Sequence, residues 1–73
     1  MMVYVITEQD GYRNDVTGVF STREKAITNI INNYAHSDSE ITIDYIEKYL
    51  TKYDTNTVRF GNLLVTIEEK EIQ

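Results

Sequence analysis

Few residues in this chain could do chemistry. His36 is the single histidine, and the carboxylates nearest to it in sequence are Asp38 and Glu40. Acid–base or metal chemistry at an imidazole needs partners at defined distance. One imidazole with two acids in a polar connection is a poor site. His36 is better read as a helix-end residue in the favourable field of the helix carbonyls. The run Asp10-Gly11-Tyr12-Arg13-Asn14-Asp15 carries oxygen donors like a calcium loop, but Arg13 intrudes on the required alternation. An ordinary hairpin turn explains it better. Ser21, Thr22, Arg23 and Lys25 could gather a phosphate at a helix N-terminus. Glu24 competes for the same N–H donors and no Gly-rich loop precedes it, so helix capping is the stronger reading. The carboxylate pairs Asp44/Glu47 and Glu68/Glu69 fall on faces predicted to be solvated. A glycosidase would need a cleft, which a chain of 73 residues can hardly frame. Cysteine is absent and no serine stands in a Gly-x-Ser-x-Gly elbow. The expectation is a protein that is not an enzyme, with no catalytic, cofactor-binding or metal-ligating residues.

The most informative side chains are aromatic. The chain has six tyrosines, and Tyr45, Tyr49 and Tyr53 recur at every fourth position. At about 100° per helical residue, Ile43, Ile46 and Leu50 mark the buried side. Tyr53 flanks that side, Tyr49 turns further out and Tyr45 points nearly opposite. One reading packs the rings along the core edge with their hydroxyls in water. The other makes them an interface, where tyrosine is enriched. The candidate partner-binding residues are therefore Tyr45, Tyr49 and Tyr53, with Asp44 and Glu47 beside them.

The elements that must position this row follow from pattern. Residues 2–7 read as a strand with Met2, Tyr4 and Ile6 on one face and Val3 and Val5 on the other. Two apolar faces predict a central strand. Asp10-Gly11 marks a turn, and residues 15–20 return as a second strand in which Gly18 signals a bulge or a close contact. Ser21-Thr22-Arg23-Glu24 reads as a capping box, with Ser21 as cap and Glu24 reaching back. The helix behind it buries Ala26, Ile27, Ile30, Ile31 and Tyr34 in one stripe and ends near Ala35-His36. Residues 41–45 fit both strand alternation and a helical period. We assign a second helix over 43–53, capped by Thr42, stapled by Ile41 on Ile46, and aided by an Asp44–Lys48 pair. Residues 57–60 and 63–72 read as strands joined at Gly61-Asn62, with Leu63, Val65 and Ile67 on one face. The order ββααββ predicts an α+β two-layer sandwich, a small antiparallel sheet with both helices on one face.

Length and charge narrow the classes. A chain of 73 residues is expected to form a single domain over 1–73 with a small core. Hydrophobic content of 41% and charged content of 26% are those of a folded domain. No apolar run reaches the roughly 18 residues of a membrane helix. The opening Met1-Met2-Val3-Tyr4-Val5-Ile6 lacks a basic leader. A chain without cysteine or signal is expected in a cytoplasm, with no membrane partner. The net charge of -5 is concentrated in the second half, where eight acids face four bases. An acidic surface repels a phosphate backbone, so direct nucleic-acid binding is not expected.

Val3-Tyr4-Val5-Ile6-Thr7 and Gly18-Val19-Phe20-Ser21-Thr22-Arg23-Glu24-Lys25-Ala26 resemble a group of small uncharacterised domains of bacteriophages and mobile elements of low-GC Gram-positive bacteria. Those domains open on a "VYVVT" strand and carry a "GVFSxxEKA" strand-to-helix junction. The similarity covers about the first third of the chain and, loosely, its last ten residues. Residues 37–56 are not covered by it. The shared motif is structural, so it implies fold. The resemblance also implies an inhibitor of a host or defence protein, acting in the host cytoplasm. The expected function is a small acidic binding protein, a phage-type inhibitor or modulator of a host protein, working through a tyrosine/acidic surface. Two alternatives stand beside it. One is an acidic mimic of nucleic acid using Asp38, Glu40, Asp44, Glu47 and Asp54. The other is a homo-oligomeric structural module, such as a homodimer.

Overall fold

The structure is a computed structural model that describes residues 1–35 and 40–73. The sequence readings of His36 and Asp38 lie outside the described residues. The elements are β1 (Met2–Asp10), β2 (Arg13–Phe20), α1 (Arg23–Tyr34), α2 (Ile43–Lys52), β3 (Thr57–Phe60) and β4 (Leu63–Glu71). They form a four-stranded antiparallel sheet of order β2-β1-β4-β3. Helix α1 lies over β1 and β2 while α2 lies beside it over β3. This is the expected ββααββ sandwich with both helices on one face.

Strand β1 is interior, as its two apolar faces predict. Ile6 is fully buried beneath the helices, with Ile27, Ile30, Ile46, Val65 and Ile67 around it. The register places Tyr4 opposite Glu69, Ile6 opposite Ile67 and Glu8 opposite Val65 on this face. Because strand side chains alternate, Val3, Val5, Val16, Val19, Leu64 and Thr66 share the opposite face, over which no helix lies. β4 is the last strand in sequence, yet it holds the sheet together by pairing with β1 along its length and with β3 over Leu63–Thr66.

Both strands of the first hairpin are longer than the apolar alternation suggests, β1 by three residues and β2 by two. The turn is Gly11-Tyr12, and Asp10 is already paired with Arg13. Gly11 has a φ of 60° and Gly61 a φ of 62°. A first central residue with positive φ is the requirement of a two-residue type II′ hairpin. Such a tight turn lets backbone pairing run on through Glu8–Asp10 and Arg13–Asn14. These residues are polar and carry no hydrophobic signal.

The bulge expected near Gly18 falls at Thr17, which has no partner in the register between Ile6↔Gly18 and Thr7↔Val16. The Thr17 hydroxyl donates to the Ile6 carbonyl at 3.4 Å. Gly18 itself is needed for space. A Cβ there would stand 2.7 Å from Cε2 of Phe20. Gly18→Ala should displace the half-buried Phe20 ring and lower stability by about 1–2 kcal/mol, read as a lower urea midpoint with an unchanged slope.

The cap of α1 corrects the capping-box reading. Thr22, not Ser21, is the N-cap, and its hydroxyl accepts from the Lys25 N–H at 3.2 Å. Ser21 and Thr22 offer equivalent hydroxyls, and the strand ending at Phe20 leaves two residues to turn before the helix begins. Helix α2 is capped by Thr42, as expected, with the Tyr45 N–H donating at 3.2 Å. Residues 43–45 are helical, which resolves the ambiguous stretch. Ile41 packs against the core cluster that contains Ile46, as a staple requires.

Candidate interaction surface

Helix α2 is anchored by Ile46 and Leu50, 0% and 3% exposed. One flank of it faces α1. There Glu47 Oε1 accepts from Arg23 Nε at 2.7 Å, tying the two helices. The other flank carries the tyrosines. Tyr45 and Tyr53 are exposed at 48% and 57%, while Tyr49 is half-buried against the core. The Tyr49 and Tyr53 rings are 4.8 Å apart and tilted by 54°. The ammonium of Lys52 stands 5.3 Å from the centre of the Tyr53 ring, within cation–π range.

Positions 45, 48, 49, 52 and 53 follow the spacing i, i+3, i+4, i+7, i+8 of one helical stripe. Tyr45, Lys48, Tyr49, Lys52 and Tyr53 accordingly line one shallow hollow of about 290 Å³. Among the described residues no carboxylate lines it, while Glu47 lines an adjoining hollow of about 300 Å³ with Lys48, Thr51 and Lys52. Asp44 reaches it only indirectly, through its 3.0 Å pair with Lys48.

Three sequence expectations are corrected here. The helix ends at Lys52, and Tyr53 is its C-cap. Asp54 follows with a φ of 48°. Its N–H donates to the Thr51 carbonyl at 3.3 Å, and the Thr55 N–H donates to the Leu50 carbonyl at 3.0 Å. This is a Schellman ending, with aspartate in the left-handed position usually given to glycine. It leaves Tyr53 more exposed than Tyr49, the reverse of the order a regular helix implies. Second, Glu47 is on the far flank from the tyrosines and is engaged by Arg23. Third, the companions of the tyrosine row are lysines. The spacing that shows this was present in the sequence, where Lys48 and Lys52 follow the same stripe.

A second hollow of about 530 Å³ lies at the start of α1, lined by Phe20, Thr22, Glu24, Lys25 and Thr28. Glu24 at its wall opposes the anion binding considered for this helix N-terminus. Tyr12, at the tip of the first hairpin, is fully exposed. Among the described residues no three His, Cys, Asp or Glu side chains gather closely enough to hold a metal ion. Among them, too, no helix is long and apolar enough to cross a membrane.

Tyr34 makes a polar contact between the two layers. The Tyr34 hydroxyl donates to Glu8 Oε2 at 2.5 Å, and its ring stacks on Phe60 at 5.4 Å. Burial first, and then the Glu8 carboxylate, raise the Tyr34 phenol above its ordinary range. The Tyr4 phenol, which donates to Glu69 at 3.2 Å, is raised for the same kinds of reason. A raised phenol means that the fold favours the neutral form. Its contribution is complete below the unfolded value of about 10 and disappears as pH rises through the higher folded value. The melting temperature should therefore fall as pH is raised above about 10. Tyr34→Phe should flatten that alkaline decline in thermal melts, leaving a smaller part due to Tyr4.

No curated protein and no solved structure matches the chain. A family model described as a domain of unknown function, DUF7336, matches residues 1–60. The match runs from β1 to the end of β3 and includes residues 37–56, which the phage-domain resemblance does not cover. The chain belongs to the DUF7336 family of domains of unknown function.

Proposed function

We propose that this protein is a non-enzymatic binding module whose contact surface is the tyrosine flank of α2. The observation that carries the reading is the hollow lined by Tyr45, Tyr49 and Tyr53, with Tyr45 and Tyr53 about half exposed. Tyrosine is enriched where protein surfaces meet, because a rigid ring covers much area at low entropic cost. The row stands on an anchored helix. Ile46 and Leu50 anchor its helix, and the turn at Asp54 holds Tyr53 over Tyr49. The resemblance of the first third of the chain to phage and mobile-element domains supports a host protein as the partner. In this reading the module inhibits or modulates that protein in the host cytoplasm, and a defence protein is the first class to examine.

The test is affinity capture from host lysate with the tagged chain, followed by mass spectrometry and reciprocal capture. A protein enriched by the native chain and lost with Tyr45→Ala/Tyr53→Ala is the expected result. Retention by that variant, with its melting temperature unchanged, would remove the tyrosine flank from the account.

A second reading has its own observation. Val16 and Val19 are exposed at 64% and 57% on the sheet face that no helix covers. They support self-association through that face. Light scattering across a concentration series separates the two readings, because only self-association raises the mass.

A further inference from the structure

The charge around the tyrosine row points to the chemistry of the partner. Although the chain carries a net charge of -5, the lining of the hollow holds two ammonium groups, Lys48 and Lys52, and no carboxylate among the described residues. Among the described residues Lys48 is paired with Asp44, in an exposed i,i+4 pair with side-chain exposures of 78% and 74%. Such a pair is weak and exchanges readily. Lys52 lies against the Tyr53 ring and has no carboxylate partner among the salt bridges of the described residues. Glu47 borders an adjoining hollow with Lys48, Thr51 and Lys52, but its carboxylate is paired with Arg23 at 2.7 Å. At physiological salt the distant acids are screened beyond about 8 Å, so a docked segment feels mainly the local lysines.

Resting on the tyrosine-flank reading, we infer that the hollow on α2 docks an acidic–apolar segment of a partner protein. Aliphatic or aromatic side chains of that segment lie on Tyr45, Tyr49 and Tyr53, and its carboxylates meet Lys48 and Lys52. A basic partner, which the overall charge would attract, is thereby disfavoured at this surface.

Two 12-residue peptides test the inference by NMR titration of the full chain. One alternates Glu with Leu and Phe, and the other replaces each Glu by Lys. The acidic peptide should shift the amides of residues 45–53, and the lysine peptide should not. Lys48→Glu/Lys52→Glu should weaken the acidic peptide by about tenfold or more and admit the lysine peptide instead. The inference is overturned if the acidic peptide leaves these amides unmoved at millimolar concentration. Shifts of the same amides by an oligothymidylate alone, or equal affinity for the charge-reversed variant, would overturn it as well. The same two variants in the lysate capture separate the levels of the account. Loss with Tyr45→Ala/Tyr53→Ala but not with Lys48→Glu/Lys52→Glu refutes the acidic partner and keeps the tyrosine surface. Retention by both refutes both.

Discussion

A chain ending at Phe60 should not fold. Its far-ultraviolet circular dichroism should lack the native signal, and heating should give no cooperative transition. The truncation removes only the last 13 residues, but these contain the strand that pairs with both β1 and β3. Without β4, β3 has no neighbour in the sheet and the order collapses to a lone hairpin, which is marginal in water. The loss also takes Val65 and Ile67, 0% and 2% exposed, out of the core. Burial of each contributes about 1.5–3 kcal/mol, a large share of the roughly 5–15 kcal/mol that holds a typical domain. The family match ends at residue 60, so this cut also asks whether the matched segment suffices by itself. A cooperative melt of the truncated chain would contradict the topology given for β4.

Ile46→Ala should cost about 2–5 kcal/mol. Ile46 is fully buried where α2 meets the core formed by Ile6, Ile30, Val65 and Ile67, and its truncation leaves a cavity that rigid neighbours cannot fill. In a small domain that loss brings the urea midpoint close to zero. The same truncation at Tyr45, one residue earlier on the helix and half exposed, should change stability by no more than about 0.5 kcal/mol. The contrast between neighbouring positions checks both the helical phase of residues 43–52 and the claim that Tyr45 is retained for contact rather than for packing. Similar costs at the two positions would mean that the phase is wrong.

The helical and strand patterns carried most of this architecture. Ile43, Ile46 and Leu50 placed the buried side of α2, and the double-faced strand at residues 2–7 announced a central position. Gly18 signalled both a bulge and a close contact, and the structure has the bulge next to it at Thr17 and the contact with Phe20. What escaped has local causes. The hairpin extension through Asp10 and Arg13 is backbone pairing between polar residues, so it leaves no apolar alternation. The shift of the cap from Ser21 to Thr22 turns on one residue of strand geometry between two equivalent hydroxyls. The strand order, with β4 inserted between β1 and β3, depends on pairing across the whole chain and has no short-range signal. At the candidate surface the tyrosines were legible from their spacing, whereas their electrostatic setting was legible only in part. Asp44 and Glu47 are close to them in sequence, but α1 supplies Arg23 to Glu47. The place of Lys48 and Lys52 on the tyrosine stripe follows from the same spacing, and only the engagement of Glu47 depends on the packing of two helices.

The central claim is that contact is made by the tyrosine flank and not by the uncovered sheet face. Calorimetric titration of the captured partner tests it with two double variants. Tyr45→Ala/Tyr53→Ala should weaken binding by about 30-fold or more, since truncating a central aromatic anchor costs about 2 kcal/mol or above. Val16→Thr/Val19→Thr should bind like the native chain. Native-like affinity for the tyrosine variant together with lost affinity for the valine variant would contradict the account and move the contact surface to the other side of the sheet.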